Sequence, residues 1–210
     1  MLTTLLNLSD SRLPTGGHVH SGGVEEAVTS GLISDLATLE AFLRRRIRTS
    51  GLVAASVAVA VQSELLTCAR ADLETDARTP APAARAASRA QGRGLARLAR
   101  RVWPTAAEWP TLGRAPHLAV IAGVVGRVAG LAPEHTALTL IYTTMTGSAT
   151  AAQRLLALDP ADVAAVTFGL SALCDDTAAE ATAGLADLSD PMLDVLAQRH
   201  AARERPLFAS

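Results

Sequence analysis

The chain has 210 residues with 19 basic and 20 acidic side chains, a formal net charge of −1, and hydrophobic and charged fractions of 49% and 19%. That balance excludes intrinsic disorder, which needs low hydrophobicity with high net charge. It also excludes a chain-wide electrostatic grip on nucleic acid or an anionic membrane, because no net positive field exists. Every basic residue is Arg, and the aromatics are two Trp, one Tyr and three Phe in an Ala-rich chain. Such a composition reads as helical, since Ala has the highest helix propensity and aromatics favour strands. Cys68 and Cys174 form no CxxC or zinc spacing and are read as free thiols of a cytosolic protein. The opening MLTTLLNLSD lacks a basic region and meets Asp10 early, so it does not read as a signal peptide. Apolar runs such as Leu52–Val61 and Leu118–Val125 fall short of the ~18 residues a membrane-spanning helix requires.

In chain order, an apolar segment Leu2–Leu8 precedes a loop, 9–23, whose Pro14 and four glycines exclude helix or strand interior. A short helix runs from about Val24 towards Gly31. Ser34 then reads as the N-cap of a helix with Leu36, Leu39, Leu43 and Ile47 at the helical period. Arg44, Arg45, Arg46 and Arg48 close it where the helix dipole favours cations, and Gly51 is the expected stop. From Leu52 to about Arg78 one long helix is expected, apolar all round at first and therefore central in a bundle. Thr79-Pro80-Ala81-Pro82 separates it from a basic helix ending near Trp103. Further helices are expected over Leu118–Val128 and from about Glu134 to Leu158. Asp159-Pro160 and Asp190-Pro191 each read as an N-cap followed by Pro at the first helical position. No strand alternation or fixed-period repeat is evident. The expectation is an all-α, single-domain bundle of about eight to ten helices spanning 1–210, with loop 9–23 and tail 204–210 irregular.

The glycine-rich loop has neither GxxxxGK[ST] nor GxGxxG, so it is no nucleotide cradle. His18 and His20 flank Val19: two imidazoles so spaced can share a metal, or one packs in the loop and the other faces water. Ser21 beside His20 is no nucleophile–base pair, because adjacent loop residues rarely reach catalytic geometry. Glu25-Glu26 and Asp175-Asp176 point about 100° apart on a helix and form no shared-proton dyad. The reading is a non-enzyme with no cofactor and no resident metal.

The most informative feature is a ladder, Arg85, Arg89, Arg93, Arg97 and Arg101, with no acid between Arg78 and Arg101. Aligned guanidiniums repel unless solvated, paired with carboxylates from elsewhere, or set against an acidic partner. Three readings stand: a solvated face with internal ion pairs, a protein-binding surface, or a nucleic-acid stripe that lacks the usual interleaved aromatics. Between Leu155 and Ala197 lies the opposite block: Asp159, Asp162, Asp175, Asp176, Glu180, Asp187, Asp190 and Asp194, with no Arg. It is expected to neutralise the ladder, within the chain or across a dimer.

Leu5-Leu6-Asn7-Leu8-Ser9-Asp10-Ser11-Arg12-Leu13-Pro14-Thr15-Gly16-Gly17, then His20-Ser21 and Gly23-Val24-Glu25, resembles the N-terminal signature of the urease accessory proteins of the UreF family. Ser88 to Leu95 resembles that family's R-x-x-G-R-x-L element, and His117 through Leu155 its third block. His18 stands where the family usually has an aromatic. The resemblance implies an all-α, usually dimeric, cytoplasmic protein without chemistry of its own. It implies partnership with a UreD/UreH-type accessory protein, a UreG-type GTPase and apo-urease in GTP-dependent nickel insertion. Under this reading the partner-binding residues are His20, Ser21, Glu25, Arg89, Arg93, Arg97, Leu207 and Phe208. An Arg-striped nucleic-acid-binding protein is the alternative.

Overall fold

A computed structural model describes residues 2–15, 17–187 and 190–209; the His18 side chain lies outside the described residues. The helices are α1 (Leu2–Leu8), α2 (Val24–Thr29), α3 (Leu36–Arg46), α4 (Leu52–Gln62), α5 (Cys68–Ala77), α6 (Pro82–Val102), α7 (Leu118–Val128), α8 (Pro133–Leu156), α9 (Pro160–Gly169), α10 (Ser171–Glu180) and α11 (Pro191–Ala201). Short 3-10 turns cover Gly17–Val19 and Trp109–Thr111. No strand occurs among the described residues, and the all-α expectation holds. None of these helices is long and apolar enough to cross a membrane.

Local chemistry explains the boundaries. Asp159 accepts the Ala161 N–H at 2.7 Å and Asp190 the Met192 N–H at 3.2 Å, each before a helix-opening Pro. At α3 the N-cap is Asp35, one residue later than expected. Its Oδ1 accepts the Thr38 N–H at 2.8 Å, while Thr38 Oγ1 accepts the Asp35 N–H at 3.1 Å, a reciprocal capping box.

Two expectations for the next stretch are corrected. Gly51 does not end α3. A π turn, Ile47–Gly51, carries the helix into α4, with the Leu52 N–H bonded five residues back to the Ile47 carbonyl. Conversely, the long helix expected from Leu52 to Arg78 is broken. Glu64 adopts a left-handed φ of 59°, and the Leu65 N–H returns to the Ala60 carbonyl at 2.9 Å. Thr67 then caps α5 by accepting the Arg70 N–H at 3.2 Å.

The core lies in two clusters. One gathers Val24, Leu39, Leu43, Ile47, Leu52, Ile141, Leu170, Leu196 and Phe208; the other gathers Val57, Val61, Leu95, Ala99, Ile121, Val124 and Leu140. Both α4 and α8 contribute to each cluster, so they form the spine of the bundle. This is why α4 is apolar all round, with every residue but Ala54 buried. Helices approach closely where glycine permits. A methyl group at Gly92 of α6 would overlap the Pro116 carbonyl oxygen and lie 3.0 Å from the His117 carbonyl carbon.

Candidate functional site

Five of the residues singled out from the sequence meet at one place, around the Glu25 carboxylate. Ser21 is buried, and its hydroxyl accepts the Glu25 N–H at 3.3 Å in the first turn of α2. Glu25 is only 2% exposed. Its carboxylate accepts from His200 Nε2 of α11 at 2.7 Å, the Leu207 N–H at 2.9 Å and the Phe208 N–H at 3.0 Å. Arg203 Nε faces it at 3.8 Å, and Arg203 Nη1 donates to Glu26 at 2.9 Å. Burial pushes the Glu25 carboxyl upward, but the hydrogen bonds from Leu207, His200 and Phe208 outweigh it and hold it below the ordinary glutamate range.

The clamp orders the C-terminal tail against the signature loop. The Ala209 N–H reaches the Val19 carbonyl at 2.6 Å. Phe208 turns into the core with the Arg154 guanidinium 5.4 Å above its ring. Leu207 points outward and is 79% exposed, as Val19 is at 40%. His20 is half-buried between the 3-10 turn and Ser21, its N–H on the Gly17 carbonyl at 3.2 Å. Thus Ser21, Glu25 and Phe208 build the surface from beneath, while Leu207 and Val19 display it. The loop also rests on α6, where a methyl on Gly94 would lie 2.7 Å from the Thr15 carbonyl oxygen.

The arginine ladder divides. Arg85 and Arg89 turn back towards α5: Arg89 Nη2 donates to Asp76 at 2.8 Å, Nη1 to the Ala115 carbonyl at 2.7 Å, and Arg85 stands 3.9 Å from Asp76. Arg93, Arg97, Arg100 and Arg101 are exposed and form no ion pair among the described residues. The acidic block is not the ladder's counterweight within the chain. Asp187 pairs with Arg78, Asp190 with Arg45, and Asp194 accepts the Ala81 N–H. The ladder's internal partners come instead from α5, just upstream of the linker.

Beneath Arg89 lies a network that the sequence left unconnected. His117, fully buried, places Nε2 2.8 Å from Asp76 and Nδ1 3.0 Å from the Ser88 hydroxyl. Burial depresses the imidazole pKa; the Asp76 hydrogen bond opposes this and the Arg89 charge adds to it. A neutral ring then donates from Nε2 to Asp76 and accepts the Ser88 proton at Nδ1. Ser88 resembles a nucleophile beside its base, but its oxygen accepts the Leu118 N–H at 3.2 Å, and the ring has no solvent access. The trio joins α5, α6 and α7, and so fixes the rotation of α6 that presents Arg93 and Arg97.

Among the described residues no three His, Cys, Asp or Glu side chains converge as metal ligands. A cavity of about 420 Å³ runs between the signature loop, α4, α6 and the Thr-rich side of α8, and Arg46, Arg154 and Phe208 line it.

The UreF family model matches residues 33–171. The urease accessory protein UreF of Mycobacterium sp. (strain JLS) is 75% identical over 209 residues, covering 100% of this chain and 99% of its own length. The chain belongs to the UreF family. Similar proteins of the same description occur in Mycolicibacterium vanbaalenii, 76% identical over 212 residues, and Mycobacterium marinum, 71% identical over 209 residues, each again covering 100% of this chain and 99% of its own length. The family match spans α3 through α9 and so includes the Arg-bearing helix and the His117 network. The clamped loop and tail lie outside those matched residues, yet within the alignment to the full-length UreF relatives. This is therefore a urease accessory protein with an all-α fold.

Proposed function

We propose that this UreF-family protein is a non-catalytic scaffold that joins a UreD/UreH-type accessory protein and a UreG-type GTPase on apo-urease. It assists GTP-dependent nickel insertion there and couples or regulates GTP hydrolysis by the UreG-type partner. The proposal treats 1–210 as a single UreF-like domain that works as a cytoplasmic homodimer. Nickel is cargo in this reading, and the chain carries no cofactor.

The observation that supports it best is the exposed Arg93, Arg97, Arg100 and Arg101 face on a helix whose rotation is fixed from below. A rigid cationic face steers and orients an acidic protein surface. Loop and tail residues His20, Ser21, Glu25, Leu207 and Phe208 supply a second, apolar docking surface, with Leu207 as its projecting side chain. Arg89 serves as a positioning residue for the first surface.

The test is co-purification with the GTPase and the UreD/UreH-type protein, together with urease activation, for Arg93→Glu/Arg97→Glu/Arg101→Glu and for Leu207→Asp. Retention of both partners and full activation by both variants would refute the assignment. The nucleic-acid alternative predicts instead that the triple variant loses a DNA or RNA affinity that falls steeply with salt.

A further inference from the structure

One cation in the interior lacks the partner that its position demands. Arg46, the last residue of α3, lies mostly buried along the 420 Å³ cavity, and it forms no ion pair among the described residues. Its Nη1 donates to the Gly22 carbonyl, and the guanidinium stands against the face of Gly22. Its Nε is shielded from water and has no acceptor; Nη2 has no hydrogen-bond partner among the described residues either. The edge left unused, Nε with Nη2, is the one through which Arg grips planar and tetrahedral oxyanions with two parallel hydrogen bonds.

The carboxylates along the cavity are already engaged. Asp10 holds Arg12, Asp190 holds Arg45, and Asp194 holds the Ala81 N–H. Arg78, a second cation on the wall, is neutralised by Glu74 and Asp187. Arg154, the third, lies over Phe208 and has no carboxylate partner among the described residues. Hydroxyls complete the lining. Ser50, one turn beyond Arg46, donates to the Arg46 carbonyl at 3.3 Å, and Thr143, Thr146 and Thr150 line the cavity from α8. An uncompensated buried charge is strongly unfavourable, whereas one that meets a hydrogen-bonded counterion is tolerated.

From this geometry we infer that Arg46 is the anchor of a binding site for a small free oxyanion, of the size of bicarbonate or orthophosphate. The cavity hydroxyls supply neutral donors, and the Nε–Nη2 edge supplies the charge. Burial alone holds the Arg46 pKa down to about 10, still far enough above neutrality for the group to stay charged and attract an anion. The site is independent of the partner surfaces proposed above.

The experiment titrates orthophosphate, and separately bicarbonate, into the full chain at matched ionic strength in chloride, read by calorimetry and by thermal melting. Wild-type protein is expected to show saturable one-to-one binding and a rising Tm with at least one of the two. Arg46→Gln is expected to bind at least about tenfold more weakly, because it loses a charge-assisted bidentate contact. Without added oxyanion it should melt no lower than wild type, because the unpaired charge is gone. Arg93→Gln, on the exposed face, should leave the titration unchanged. Absence of saturable binding to the wild type overturns the inference without reference to any variant. So does an equal response from Arg46→Gln, or a Tm rise that chloride reproduces.

Discussion

Replacing Glu25 by Ala tests whether one buried carboxylate holds the tail in place. Two responses are open to the variant. If the tail stays docked, His200 Nε2 and the N–H groups of Leu207 and Phe208 lose their acceptor inside the protein. Breaking a buried hydrogen-bonded charged pair from one side costs about 3–5 kcal/mol. If the tail leaves, water satisfies those donors, and the loss is the burial of Phe208, about 1.5–3 kcal/mol, together with its contact to Arg154. The cheaper response prevails, so a loss of about 2–3 kcal/mol is expected, and it should come with tail release. Urea unfolding gives the first quantity; hydrogen exchange at the amides of Leu207, Phe208 and Ala209 gives the second. Glu25→Gln keeps the shape and one acceptor and should lose less. Because the native Glu25 pKa is depressed, the clamp's stabilisation is complete above the unfolded glutamate value and disappears as pH falls through the native one. Glu25→Gln should flatten that part of the acid limb. A loss under about 0.5 kcal/mol for Glu25→Ala, the range of an ordinary surface substitution, with unchanged tail exchange would refute the reasoning.

The His117 network predicts a second pH dependence. Its folded pKa lies below the ordinary imidazole value of 6.5, so the unfolded chain takes up the proton first. Stability should therefore fall as pH drops below that value, and urea midpoints for His117→Asn should show a shallower decline. Gly92→Ala places a methyl group on the Pro116 carbonyl and should destabilise by about 1–3 kcal/mol or prevent folding. Gly147→Ala, with nothing within 4 Å of its added methyl, should instead raise the midpoint by up to about 1 kcal/mol through helix propensity. Arg89→Ala should lower the melting temperature by removing the Asp76 and Ala115 contacts, whereas Arg97→Ala should leave it unchanged and weaken only salt-sensitive partner binding.

The parts of this fold that a sequence exposes are those with a chemical marker at the boundary. Asp-Pro opens α9 and α11, and the positive φ of Gly31 and Gly130 closes α2 and α7. Where the chain turns without a marker, periodicity runs straight through. Glu64 and Ala157 take left-handed backbone that glycine usually supplies, and the Glu64 break therefore went unseen. The site was legible in its members but not in its joinery. Loop and tail residues could be singled out, yet Glu25 and His200 are 175 positions apart, and no local pattern encodes their pairing. The ladder's regular spacing likewise conceals that Arg89 faces inward. That depends on Asp72 and Asp76 reaching it from a neighbouring helix.

The π turn at Ile47–Gly51 has a consequence for how this chain tolerates length change. An α-helix turns about 100° per residue, so the extra residue held in that turn sets the angular phase of everything that follows it. Upstream, α3 needs only one apolar side. Downstream, α4 must give Leu52, Ala55 and Val59 to one cluster and Val57, Ala58 and Val61 to the other. Excising one residue from 48–50 would restore regular hydrogen bonding and yet rotate α4 by that same angle, exchanging what it offers to its two neighbourhoods. The irregular turn is thus a phase setting, and the more ideal helix would be the misassembled one.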